Sequence, residues 1–324
     1  MKQNYSKRFT VYAWTVVVYT ILTILWGAYV RATGSGAGCG NHWPTCNGEI
    51  IPRPEMIETI IEYTHRLSSA LMGPMLMVLL GWSWKIYGRQ SLVTKASLWA
   101  FIFVLIEGAL GAGLVLFGLV DENTSLARAI VMGVHLINTL ILLGFITLSA
   151  WWSMGEQAPT FRFHLNNGLL IALLGIMIVG AFGAVTAMGD TLFPADSFIE
   201  GAAAKFQPGA HFAVKMRTWH PVVAVAFAVY TGVLMYTTDE YWSDKKLRFF
   251  AISNLALIGI QLFAGVVNVL LAAPIWMQLV HLALADLSWI LLLLMYVDTS
   301  TANEVNIQRV VGQKAGKLSN VIEF

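Results

Sequence analysis

Eight long apolar runs, parted by short polar segments, account for most of this chain: roughly 11–30, 61–84, 97–118, 127–152, 168–188, 217–237, 249–271 and 275–297. Crossing a hydrocarbon core takes about 20 mostly apolar residues, so each run predicts one transmembrane helix, its ends placed to within a few residues. The expected fold is an all-α membrane protein of eight transmembrane helices. An even number of crossings puts both termini on one side. From about Asp298 the pattern turns polar, and a mobile tail is expected there.

Composition agrees with burial in lipid: 57% of residues are hydrophobic and only 12% charged, with a mean hydropathy of +0.67. A soluble domain of that balance could not cover itself with polar surface. The formal net charge of +2, spread thinly, gives no sign of a nucleic-acid partner, and none is expected. The opening MKQNYSKRFT is a short basic stretch that runs straight into the first span with no evident cleavage site, so no signal peptide is expected. With the N-terminus assigned to the cytoplasm, 13 of the 20 Lys and Arg (Lys2, Arg162 and Lys245 among them) fall in cytoplasmic segments. That bias sets the expected orientation in a bacterial cytoplasmic membrane, with the segment after span one outside.

The chain also reads as two copies of one unit. GAYVRATGSG from Gly27 resembles GAFGAVTAMG from Gly180, and VHLINTLILL from Val134 resembles the VHLALAD stretch from Val280. Spans two and six each carry a histidine near their starts, His65 and His220. We therefore expect two pseudo-symmetric four-helix bundles, residues 1–155 and 156–298, followed by a cytoplasmic tail, 299–324. Copies with an even number of spans run the same way through the membrane, so the axis relating them lies along its normal.

Four of the seven histidines lie in spans: His65, His135, His220 and His281, in spans two, four, six and eight. All four helices descend from the outer face, and the histidines fall about five to nine residues in, roughly 6–13 Å deep at ~1.5 Å per residue. A lone histidine in an apolar helix is commonly a packed residue satisfied by a neighbouring backbone. A matched pair in each half is different, because ionisable groups are costly in a membrane and mark function. A four-helix bundle can hold a flat macrocycle with one imidazole on each face of its iron. Gly108, Gly111 and Gly113 in span three, and Gly259, Ala264 and Gly265 in span seven, leave volume for one, although close helix packing uses the same residues. Arg66, Arg128, Lys215 and Arg217 at the outer ends could meet haem propionates, or simply snorkel to the interface.

The halves differ in one respect. Glu62 precedes His65 by three residues, on one helical face, whereas the matching position before His220 is Arg217. Electron transfer between two haems would need no such carboxylate, but chemistry on a bound porphyrin could use a proton acceptor there; a helix-start acid is the plainer alternative. Glu107, the other acid in an apolar run, is matched by Gln261, which suggests a buried hydrogen-bonding role.

Both cysteines, Cys39 and Cys46, lie in GSGAGCGNHWPTCNG after span one. The spacing is not that of covalent haem attachment. Cys39, His42 and Cys46 could supply three zinc ligands, but a fourth would have to come from elsewhere. In an oxidising compartment a disulfide is the better reading, whether as a structural clasp or a redox couple.

With VRATGSGAGCGNHWPTCNGEIIP, EYTHRLSSAL, VHLINT, WHPVVAV and VHLALAD spread over nearly the whole length to about residue 298, the chain resembles the haem A synthase family. The resemblance implies eight helices in two bundles and oxidation of a haem O methyl group to the formyl group of haem A, by successive hydroxylations, for cytochrome oxidase assembly. It implies a resident haem b ligated by His220 and His281, substrate haem between His65 and His135, and Glu62 as a catalytically important acid. Many bacterial members carry a second cysteine pair between spans five and six. Residues 189–216 here contain none. Expected partners are haem O, handed over by a haem O synthase, membrane lipid and an electron donor; a homo-oligomer is compatible with the sequence. The competing readings are a di-haem electron-transfer protein of the cytochrome b type, linked to quinol, and a transporter with parallel repeats.

Overall fold

The computed structural model describes residues 6–53, 56–155, 167–243 and 245–322. Among them run ten α-helices: α1 Lys7–Ala32, α2 Ile57–Tyr87, α3 Leu92–Leu116, α4 Leu126–Ser153, α5 Asn167–Leu192, α6 Phe198–Ala204, α7 Phe212–Thr237, α8 Glu240–Ser243, α9 Lys245–Leu270 and α10 Ile275–Ile322. All but the short α6 and α8 are long and apolar enough to cross a membrane. Each expected span has its helix, and several begin earlier than hydropathy places them: α2 at Ile57, α7 at Phe212 and α9 at Lys245. Hydropathy marks only the stretch that sits in hydrocarbon, whereas a backbone helix continues into the interface, where polar residues are as comfortable as apolar ones. The polar C-terminal stretch continues the last span as helix to Ile322. Lys2, Arg162 and the expected boundary between 155 and 156 fall at or outside the limits of the described residues.

Local chemistry sets the ends. Ser6, Ser91 and Ser125 precede α1, α3 and α4 in extended conformation, and each side-chain oxygen accepts a backbone N–H of the first turn, satisfying donors that the helix leaves unpaired. Gly88 stops α2 with a positive φ of 80°, a conformation that costs a residue without a Cβ least. Pro74 and Pro221 lie inside α2 and α7.

Helices α1, α2, α3 and α4 close a ring of neighbour contacts, and α5, α7, α9 and α10 close another; α1 and α4 touch α5 and α10 between the rings. The packed core lies toward one end. Phe9, Leu76, Leu79, Leu143, Ile146, Leu169, Leu292 and Met295, all nearly inaccessible, belong to one cluster that spans both rings. At the opposite end, where the Cys39–Cys46 loop sits, the second cluster has only Ala129, Met188 and Ala213 as buried members.

Candidate haem-binding site

The four intramembrane histidines all stand in the thinly packed end. They lie eight, nine, eight and six residues beyond the first residues of α2, α4, α7 and α10, one level in four helices. At that level no residue is buried over 21–29 of α1, 63–71 of α2, 215–230 of α7 or 278–285 of α10. Protein interiors are otherwise close-packed, so these stretches form a cradle of side chains with room between them.

Each histidine ring rests against a glycine of the neighbouring helix. A Cβ on Gly27 would lie 2.9 Å from His65 Cε1, on Gly183 3.1 Å from His220 Cε1, on Gly265 3.2 Å from His281 Cε1 and on Gly111 4.0 Å from His135 Cε1. Gly111 and Gly265 were legible as sources of volume. Gly27 and Gly183 were legible only as part of a repeat, and packing matches Gly27 with Gly183 instead of Gly180. Gly113 meets Phe117, and nothing lies within 4 Å of a Cβ built on Gly108 or Gly259.

The rings associate within each set of four spans. His220 and His281 have centroids 6.3 Å apart and planes at 88°, and His65 lies within electrostatic reach of His135. Two imidazoles bound to one iron, with metal–nitrogen bonds of ~2 Å, would set their ring centres about 6 Å apart. All four Nδ1 atoms are buried without a well-formed hydrogen bond. The nearest approaches are Glu107 Oε1, 3.3 Å from His135 Nδ1, and the backbone at Val179 beside His220. The Gln261 amide nitrogen stands 3.3 Å from His281 Nε2 and donates to His281 O at 3.0 Å. Glycine-backed rings, paired imidazoles and a roomy cradle fit an iron porphyrin on each histidine pair.

Glu62 turns to the cysteine loop. Its Oε2 accepts the Cys39 N–H at 2.8 Å, its Oε1 accepts from Arg66 Nε and Nη2 at 3.0 and 2.5 Å, and the residue is 3% exposed. Arg66 Nη1 in turn donates to the carbonyls of His42 and Thr45 at 2.6 and 2.9 Å. The Gly38 carbonyl accepts from Thr59 Oγ1 at 2.7 Å and Asn47 Nδ2 at 3.2 Å. A Cβ on Gly38 would lie 2.4 Å from the Glu58 carbonyl, so only glycine lets the loop sit this close to α2. Cys39 and Cys46 form a disulfide, as the compartment argument expected, and the exposed His42 serves the loop through its backbone carbonyl.

The second set repeats the arginine clamp with other residues. Arg217 Nε donates to Asp190 Oδ1 at 2.7 Å and its Nη2 to Phe193 O at 2.6 Å. Arg66 and Arg217 thus stand next to the histidine level, each already held by a carboxylate and a loop carbonyl. Arg128 is spent on its own loop, donating to the carbonyls of Asp121 and Asn123, and Lys215 is exposed. Two features had no readable signal. Arg31 of α1 reaches across to Ala187 O, Thr191 Oγ1 and Gln278 Oε1 at 2.7, 2.8 and 2.8 Å. Asp286 of α10 is wholly buried with neither oxygen hydrogen-bonded.

Comparison with known proteins agrees with this geometry. Residues 10–295 match the COX15-CtaA family, described as cytochrome oxidase assembly protein. A protein of Thermus thermophilus named protoheme IX farnesyltransferase is 42% identical over 293 residues, 90% of this chain and 48% of that protein; the chain spans about half the length of this relative. A heme A synthase of Exiguobacterium sibiricum is 30% identical over 72% of this chain and 75% of its own length. One of Alkalihalophilus pseudofirmus is 29% identical over 85% of this chain and 92% of its own. The chain is a multi-pass membrane protein and belongs to the cytochrome oxidase assembly family of the haem A synthases.

Proposed function

We propose that this chain is a haem A synthase, oxidising one methyl group of haem O to a formyl group, with substrate between His65 and His135 and a resident haem b between His220 and His281. One observation carries the reading: four glycine-backed histidines, paired within each set of four spans, at the level where long stretches of α1, α2, α7 and α10 bury no residue. The similarity of the two sets, each with its ring of contacts, its Gly–His pairs and its arginine clamp, supports a duplicated bundle, 1–155 and 156–298.

Bound haem supplies an iron for oxidation at the porphyrin edge and for electron passage between the two sites. Two hydroxylations of the same methyl carbon give a geminal diol, which loses water to leave the formyl group. The protein's part is to hold each macrocycle by its histidines and to shield the reacting edge. Arg66 and Arg217, beside the histidines, offer their remaining hydrogen-bonding capacity to propionates. Glu62, expected as a catalytic acid, acts as a positioning residue, since both oxygens seat Arg66 and the loop over the substrate. We place the termini in the cytoplasm and the disulfide loop outside, with haem O arriving from a haem O synthase and electrons from a separate donor.

A second reading follows from the name of the Thermus relative, farnesyl transfer to protohaem. The chain matches 48% of that protein, so the named chemistry has room in the part that is not matched. Purified protein supplied with haem O or with protohaem and a farnesyl donor, followed by mass analysis of the extracted haem, decides. Conversion of haem O by gain of one oxygen and loss of two hydrogens supports the synthase. Unchanged haem O points to an electron carrier, a farnesylated product to the transferase, and a colourless protein that takes up no haem to a transporter. Glu62→Ala is expected to abolish conversion while haem b stays on His220 and His281.

A further inference from the structure

Glu107 lies in the apolar stretch of α3, where a carboxylate is costly, and the groups that meet it all come from one face of α4. Asn138 Nδ2 donates to Oε2 at 2.5 Å, the Thr139 hydroxyl donates to Oε1, and His135 Nδ1 stands 3.3 Å from Oε1. Positions 135, 138 and 139 are spaced to share one helical face. Asn138 is fixed in turn by donating to Phe103 O at 3.0 Å, and Thr139 lies 2.8 Å from His135 O. One acid is therefore aimed at the rear nitrogen of one histidine and steadied by two neutral partners.

Among the described residues none of the other three histidines has a carboxylate within 4 Å of its ring, whereas Glu107 approaches His135 Nδ1 to 3.3 Å, close but not aligned as a hydrogen bond. Gln261 occupies the place of Glu107 in the second set, but it faces His281 Nε2 and the His281 carbonyl, and His281 Nδ1 is unpartnered.

We propose that Glu107 is a positioning residue that takes the Nδ1 proton side of His135, turns Nε2 toward the substrate iron and makes this imidazole a stronger electron donor than His281. The inference rests on the haem reading above. A carboxylate behind a ligating histidine fixes its tautomer and raises its basicity. Electron donation of that kind stabilises the ferric state, so the haem on His135 has a lower potential than it would with an amide behind it. The two sites would thereby be tuned apart by a single acid-for-amide difference between otherwise similar helices.

The test uses the purified full chain, reconstituted with protohaem and titrated by spectroelectrochemistry, with His135→Ala marking which wave belongs to the first site. Glu107→Gln is expected to keep both haems and to raise the potential of that wave alone, with Glu107→Asp restoring part of the shift. Thr139→Val, which frees Oε1 from the hydroxyl, is expected to move the same wave downward. A Glu107→Gln protein with full haem content and both waves unmoved, or both moved equally, overturns the proposal, because an acid that merely staples α3 to α4 would give that result. Should Glu107→Gln bind no haem at this site, Thr139→Val decides alone, and an unmoved wave overturns it. If His135→Ala removes no wave, the haem reading of His135 fails and the proposal fails with it.

Discussion

The distances at the four glycines make a graded forecast, since a methyl group added to a glycine that touches an imidazole must displace the ring. Overpacking of this kind costs about 1–3 kcal/mol, and the ring cannot yield without losing its aim. We expect Gly27→Ala, at 2.9 Å, to lower haem content most, Gly183→Ala and Gly265→Ala, at 3.1 and 3.2 Å, to follow, and Gly111→Ala, at 4.0 Å, to do little. Gly108→Ala, with nothing within 4 Å, is the silent control. Haem per polypeptide, measured on purified variants, checks the order; equal loss at Gly108 and Gly183 would show that the glycines only set helix spacing. The histidines themselves were legible because a costly residue type recurs at matched places. The role of Gly27 and Gly183 was not: aligned letters set Gly27 against Gly180, and only the packed helices show which glycine faces the ring.

The loop between α1 and α2 shows what a closed element owes to each of its ties. A disulfide across so short a loop stabilises by about 2–3 kcal/mol on chain-entropy grounds. Independent ties remain when it is gone, from Thr59 to Gly38, from Arg66 to His42 and Thr45, and from Cys39 N–H to Glu62. Removing Glu62 is worse, because it takes away the acceptor of the Cys39 N–H together with the acid that holds Arg66, whose guanidinium then keeps only the loop carbonyls. We therefore expect the double Cys39→Ser, Cys46→Ser variant to keep its loop folded with a modest fall in Tm. Glu62→Ala should fall further and expose residues 39–46 to protease. The reverse order would mean that the disulfide, not the acid, seats the loop. Sequence alone shows the cysteines and the Glu62–Arg66 spacing, which by itself reads as an ordinary surface pair one turn apart. The anchoring carbonyls come from irregular backbone, which has no period to read.

Across the whole molecule the two rings of helices are joined in different ways at their two ends. At the end away from the disulfide the joint is apolar and tight: Gly144 of α4 is flanked by Trp289 and Leu293 of α10, where an added Cβ would sit 3.2 Å from the Leu293 side chain. At the histidine end a smaller apolar contact of α4 with α5 and α7, around Ala129, Met188 and Ala213, is joined by Arg31, which spans from α1 to the last turns of α5 and the first of α10. In sequence Arg31 looks like one more interfacial charge, because Ala187, Thr191 and Gln278 are far along the chain and form no local pattern with it. The structure makes it a polar fastener at the histidine end. Hydrogen bonds from a charged donor each contribute about 1.5–3 kcal/mol, partly offset by the desolvation that the guanidinium no longer bears once removed. Arg31→Ala should therefore loosen one end without parting the molecule, because the apolar joint is untouched. Amide exchange in the purified protein distinguishes the two ends: residues 187–192 and 275–281 should exchange faster in the variant, while 289–297 keep wild-type protection. Arg31→Lys should recover little, since one ammonium cannot hold α5 and α10 with the fork of a guanidinium. Uniformly faster exchange along α10 would mean that the rings are held together chiefly through Arg31, and that the shared core at the other end cannot hold them unaided.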